Sequence, residues 1–138
     1  TDLSQFDDNS IDEIYASHVV EHVAQKNVDK TLKGIYRVLR KNGKFYVSVP
    51  DMDVLCKIFI DPKAPLKVKF HTMRMMFGGQ IDDFDFHYFG WNLEFMKEFL
   101  TKSGFKKIDR VKSFSLFKDT SDYAPYGPPI SLNLIAYK

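Results

Sequence analysis

The sequence predicts an α/β fold on three observations. A short apolar run, Ile11 to Ala16, ends abruptly in Ser17, His18, Glu21 and His22. A helix-spaced stretch is then closed by Asn42-Gly43 just before a second apolar run. A last helix-spaced stretch leads into two segments rich in strand-forming residues. Strand-like and helix-like periods that alternate in this way belong to a sheet covered by helices.

Each element has its own local signal. Ile11, Ile14, Tyr15 and Ala16 follow the turn-forming Asp7, Asp8, Asn9 and Ser10 and read as a buried strand. Its polar end is the place where open α/β sheets bind ligands. Val28, Leu32, Ile35 and Leu39 share one helix face over residues 28–41, with Asn27 as the cap. Lys30, Lys33, Arg37 and Arg40 fall opposite and read as a solvated basic face. Asn42-Gly43 supplies a left-handed stop before a strand from Lys44 to Val49, which Pro50 closes.

Asp51 or Asp53 then caps a short helix through Leu55 and Ile58, ended by Asp61-Pro62. Pro65 opens another, with Leu66, Phe70, Met73 and Phe77 on one face and Gly78-Gly79 at its end. Residues 80–91, QIDDFDFHYFGW, have no clean period and read as a loop packed over its neighbours. Asn92 caps a final helix that turns Leu93, Met96, Phe99 and Leu100 inward and stops at Gly104. Phe105 to Phe114 and Ile130 to Tyr137 are the closing strands, and the loop KDTSDYAPYGPP between them is too long for a tight hairpin.

Composition bounds the function. The chain has 138 residues, 44% of them hydrophobic, enough for one modest core. A formal charge of +2 gives no field to recruit nucleic acid or an acidic surface. The single cysteine, Cys56, sits in the apolar string VLCKIF and reads as a buried, inert thiol in a reducing, cytoplasmic setting. No apolar run approaches the roughly 20 residues of a membrane span.

His18, Glu21 and His22 match the H-x-x-E-H signature in which two histidines one turn apart hold zinc and the glutamate activates water; Glu94 or Glu98 would be the third ligand. Against a zinc hydrolase, the motif directly follows a strand instead of lying within a long helix. The expectation is a cofactor-site turn with no metal. No G-x-S-x-G elbow, P-loop or C-x-x-C pair occurs.

Three blocks in order, LSQFDDNSIDEIYASHVVEHV, YRVLRKNGKFYVSVPD and LEFMKEFLTKSGF, resemble the second half of class I S-adenosylmethionine-dependent methyltransferases. The resemblance implies a partial Rossmann-like sheet, strands four to seven of that fold with the last two antiparallel. It makes residues 1–138 one partial domain with an insertion at about 61–91. It also implies S-adenosylmethionine as the cofactor and a small-molecule methyl acceptor.

Carried over by position, Asp2 matches the acid that bonds the adenine amino group, with Leu3 beside it, and Ser17 and His18 match the strand end near the methionine part of the cofactor. His18 and His87 are the candidate bases. His22, His71, Tyr88, Trp91 and Tyr126 are the candidate substrate-binding residues, most of them in the insertion and the final loop where the family builds its substrate pockets. The family's first strand, G-x-G turn and ribose-binding acid have no counterpart here, so the chain reads as a C-terminal part, inactive alone. The other reading is a non-catalytic oligomerisation or binding module derived from that fold. An edge left bare at Ile11 to Ala16 would draw in the missing half or a second copy as a homodimer.

Overall fold

A computed structural model describes residues 3–138; Asp2 lies outside the described residues. Four strands form one mixed sheet: β1 (Ile11–Ser17), β2 (Leu39–Pro50), β3 (Lys107–Val111) and β4 (Ser131–Tyr137). Their spatial order is β1-β2-β4-β3. β1 runs parallel to β2, and β4 lies antiparallel between β2 and β3. Parallel neighbours need a crossover, and the helix α1 (Gln25–Val38) supplies it.

α1 starts before Asn27, behind Ala24, with no side-chain cap. Its buried residues are Val28, Thr31, Leu32, Gly34, Ile35 and Val38. The chain passes from α1 into β2 without a break at Asn42-Gly43. Asn42 does adopt a positive φ of 67°, inside β2, where the register jumps from Ile11 opposite Leu39 to Glu13 opposite Lys44. A side chain at Gly43 would meet the Arg40 carbonyl at 2.8 Å. Strand and stop coexist because the extra residues form a bulge that leaves the rest of the ladder intact.

One sheet face carries the core. Phe45, Val47 and Val49 of β2 and Leu132, Leu134 and Ala136 of β4 pack against Val28, Leu32 and Ile35 of α1. Met96 and Leu100 of the last helix, together with Trp91 and Phe105, complete the cluster. Trp91 is wholly buried and stacks on Phe89 at 4.0 Å. α2 (Met52–Ile60) is capped by Asp51, whose side chain accepts from the Asp53 amide. The last helix, α4 (Leu93–Lys102), is capped in the same way by Asn92, accepting from Phe95 N.

Several expectations change. No residue of β1 is buried, because β1 stands at the edge of the sheet. The basic face expected over residues 28–41 is not simply solvated: Arg37 of α1 holds the Leu3 and Phe6 carbonyls and Asp8, and Arg40, which falls in β2, holds Asp12 at 2.7 Å. Cys56 is exposed, since α2 buries only Leu55. The helix α3 (Leu66–Phe77) buries Thr72 and not its apolar face; Leu66 is 83% exposed and Phe70 58%. Periodicity correctly locates that helix, but the face it marks has no covering layer among the described residues. No helix in the described residues is long and apolar enough to cross a membrane.

The second sheet face carries Tyr15 and Tyr46, and the segment between β3 and β4 folds over them. Phe114 and Phe117 meet the Tyr15 ring edge-on at 5.5 and 4.9 Å. The Tyr15 hydroxyl donates to Asp119 Oδ2 at 2.7 Å. Burial, then the bond to Asp119, raises the Tyr15 pKa above its ordinary 10.0. Burial alone would raise the Asp119 carboxyl; the hydrogen bonds from Ser121 and Tyr15 outweigh it and hold the group below its ordinary 3.8.

Two stability tests follow from this packing. Trp91→Ala should cost about 3–5 kcal/mol in urea unfolding followed by circular dichroism, whereas the exposed Leu66→Ala should stay within about 0.5 kcal/mol. A Trp91 variant as stable as wild type would contradict the core described. The depressed Asp119 contributes stability above 3.8 that is lost as pH falls through its lower folded value, and the raised Tyr15 contributes stability below 10.0 that is lost as pH rises past its folded value. Tyr15→Phe should therefore lose about 0.5 kcal/mol, discounted for exposure, in thermal melts near neutral pH. The difference from wild type should close at both extremes of pH.

Candidate functional site

β1 ends at Ser17, in register with Ser48, while β2 runs on to Pro50. The next residue, His18, leaves the sheet with a positive φ of 52°. Such a backbone is uncommon outside glycine, and here its surroundings fix it. The His18 amide donates to the Ser48 carbonyl at 2.9 Å, and the ring Nε2 meets Ser131 Oγ at 2.9 Å. Its other nitrogen, Nδ1, lies 3.2 Å from Glu21 Oε1. One imidazole thus links the first residue of β4 to the turn after β1.

That turn is a short 3₁₀ helix, Val20–His22, and not the opening of a long helix. It buries Glu21 to 1% exposure. The Glu21 carbonyl accepts from Tyr88 N at 2.8 Å, which fastens the loop after α3 to the turn. His22 Nδ1 contacts the Phe86 carbonyl at 3.1 Å, and the His22 and His87 rings meet edge-on at 4.8 Å. Burial lowers the His87 pKa below its ordinary 6.5, with the Glu21 charge opposing it and His22 reinforcing it. A neutral imidazole is the consequence, the form that accepts protons.

His18 and His87 line the same pocket with Pro50, Met75, Thr120, Tyr123 and Ile130, a space of about 120 Å³. A larger hollow of about 340 Å³ lies elsewhere, between Phe70, Arg74 and Gly78 to Ile81. It contains none of the histidines and only Arg74 as a charged group; a neighbouring hollow of about 340 Å³ is lined by His71, Arg74, Met75, Gly79 and Asp85, so His18 and His87 meet only in the smaller pocket.

Of the residues singled out in the sequence, the structure brings His18, His22 and His87 together around Glu21. His71 and Tyr126 also meet, Nδ1 to hydroxyl at 2.5 Å, and so join α3 to the final loop. Tyr88 is half exposed and stacks on Phe86 outside the pocket. Trp91 lies in the core and lines no pocket described here. Leu3 sits at the opposite end of β1 from Ser17 and His18, because Arg37 at the end of α1 binds its carbonyl at 2.9 Å. Seven residues of strand, roughly 20 Å, separate it from that site. Ser131, Met75 and Tyr123 were not legible as site residues: only the length of the final loop pointed toward Tyr123, and nothing local marks the other two.

A methyltransferase-domain family model matches residues 1–47 of the 138. No curated protein matches the chain. Among solved structures, an S-adenosylmethionine-dependent methyltransferase from Archaeoglobus fulgidus aligns over 99% of this chain and 63% of its own, with TM-score 0.60 and 17% identity. A possible exported protein from Bordetella parapertussis aligns over 100% and 42%, with TM-score 0.64 and 10% identity. The Burkholderia thailandensis 1,6-didemethyltoxoflavin-N1-methyltransferase, with bound 1,6-didemethyltoxoflavin and S-adenosylhomocysteine, aligns over 95% and 45%, with TM-score 0.58 and 16% identity. The chain therefore spans less than two thirds of the length of these three structures. At such identities the likeness is one of architecture: residues 3–138 have the α/β fold of S-adenosylmethionine-dependent methyltransferases.

Proposed function

We propose that this chain is the C-terminal part of an S-adenosylmethionine-dependent methyltransferase acting on a small molecule, its sheet corresponding to strands four to seven of that fold. The observation that carries this reading is the β1-β2-β4-β3 order, parallel then antiparallel, with His18 turned out of the strand end onto a pocket shared with His87. The match of residues 1–47 to a methyltransferase-domain model supports it. So does the 1,6-didemethyltoxoflavin bound by the Burkholderia methyltransferase.

When bound, S-adenosylmethionine supplies an electrophilic methyl group, which it would give to the acceptor heteroatom while keeping the carbon–sulfur electron pair. Ser17 and His18 stand at the strand end that would face its methionine part. The pocket residues would hold the acceptor in line with that methyl. The proton released from the acceptor passes to the imidazole of His18 or His87. Met75 and Tyr123 close the pocket walls, and the His71–Tyr126 contact holds α3 and the final loop together beside them. Orientation and proton removal are what this part of the protein contributes.

The open edge of β1 is where the preceding strand of the whole protein would pair; in residues 1–138 alone that edge pairs with a second copy. Sedimentation should show a dimer or larger species at micromolar concentration, and Ile14→Lys should break it up or lower solubility. A dispersed monomer whose residues 11–16 exchange amide hydrogens slowly would overturn this assignment.

Calorimetry on residues 1–138 should show no saturable heat with S-adenosylmethionine. The protein extended by its upstream coding sequence should bind in the low micromolar range, about −8 kcal/mol. In that extended protein, His18→Ala should lower kcat by roughly 10²-fold or more. Tight binding by residues 1–138 alone would refute the partial-site reading. Wild-type turnover in both His18→Ala and His87→Ala would refute the assignment of the base.

A further inference from the structure

Glu21 is the least explained charge in the molecule. It is 1% exposed, and neither carboxylate oxygen has a formed hydrogen bond. His18 Nδ1 is 3.2 Å from Oε1 but off hydrogen-bonding geometry. A carboxylate taken out of water without partners is costly enough that such groups are normally paired or bound to metal. Two imidazoles face it, His22 from the same turn and His87 from the loop after α3. One donor atom from each of Glu21, His22 and His87 lies within 4.8 Å of the others.

The hydrogen bonding of His22 gives this cluster its direction. Its Nδ1 lies 3.1 Å from the Phe86 carbonyl, an acceptor, so Nδ1 carries a hydrogen and Nε2 is the nitrogen left to face a metal ion. An imidazole anchored through one nitrogen to a main-chain carbonyl, with the other nitrogen free, is the usual second-sphere arrangement of a metal-bound histidine. The donor of His22 is thereby spent on Phe86 and does not neutralise Glu21.

We propose that Glu21, His22 and His87 form a site for one divalent first-row transition ion. Two imidazoles and a carboxylate suit zinc or manganese and leave at least one coordination position open. Nitrogen ligands at about 2.1 Å from zinc in a tetrahedral set stand roughly 3.4 Å apart. Closing the cluster therefore asks for side-chain adjustments on the order of 1 Å.

This donor set differs from the H-x-x-E-H pattern. His18 is not a ligand; its ring spans Ser131 and the flank of Glu21. The third ligand comes from the loop after α3, which the Tyr88 N to Glu21 O bond already seats on the turn. His87 also lines the pocket of about 120 Å³, so the ion would stand at its wall. With His87 committed to the ion, His18 is left as the pocket's base. The site does not depend on the methyl-transfer reading, and its test uses no turnover.

The untagged chain, freed of metal by a chelator, is titrated separately with ZnCl2 and MnCl2 by calorimetry and thermal melting. One equivalent of at least one ion should bind and raise Tm. His22→Ala and His87→Ala should each weaken binding by roughly 100-fold, while His71→Ala should leave it unchanged. Glu21→Gln should abolish binding yet melt no lower than the metal-free wild type, because it removes a buried charge that no formed hydrogen bond satisfies. The proposal is overturned by absence of saturable binding in the folded wild type, or by binding that survives both histidine substitutions. A metal-free Glu21→Gln variant that melts well below metal-free wild type would also overturn it, since the carboxylate would then already be paired.

Discussion

Strand β2 is the constraint on which the rest depends. It is paired along both edges, parallel to β1 and antiparallel to β4, and its stretch from Val47 to Pro50 is entirely buried. A strand in that position must satisfy two different hydrogen-bond patterns at once, so its register fixes the height of both neighbours. The alignment of Ser17, Ser48 and Asn133 across three strands is one result. Because Ser17 ends level with Ser48, His18 emerges where Ser131 can reach it. The site is thus set by sheet register first and by side-chain chemistry second.

Around that register, the irregular segments are fastened by contacts of long sequence separation. Arg37 and Arg40 gather the residues before β1. Lys138 places its ammonium on the Tyr36 and Arg37 carbonyls at the end of α1, where a positive charge favours the helix, although burial there lowers its pKa. The loop after α3 is tied to the turn after β1 through Glu21, and α3 itself to the final loop through His71 and Tyr126. Glu21 thus serves twice, its carbonyl as an anchor and its carboxylate as the charge around which the histidines gather.

What the sequence disclosed follows the range of each interaction. The caps at Asp51 and Asn92, the stop at Gly104 and the face of α4 depend on neighbours within one or two helical turns, and all were legible. The exposure of β1 and of the apolar face of α3 was not, because amphipathic spacing says that a face exists and not whether a partner covers it. The buried state expected for Cys56 failed for the same reason. His18 and His22 announced themselves locally, whereas the pairing of His22 with His87 depends on a loop path that no periodicity encodes. Leu3, which the resemblance set beside the adenine-side acid and not beside the methionine part, has its carbonyl held by Arg37 at the end of β1 away from Ser17 and His18.

The sheet order also governs assembly of the chain during synthesis. β4 is made last yet sits between β2 and β3, so β3 has no strand to pair with until residues 131–137 have been added. A nascent chain that has completed α4 and β3 has paired, of the four strands described, only β1 with β2, leaving the inner edge of β2 open and Phe45, Val47 and Val49 without their β4 neighbours. Such unfinished edges are where growing chains associate wrongly. The sheet closes in one late step, when its final strand inserts into its own centre.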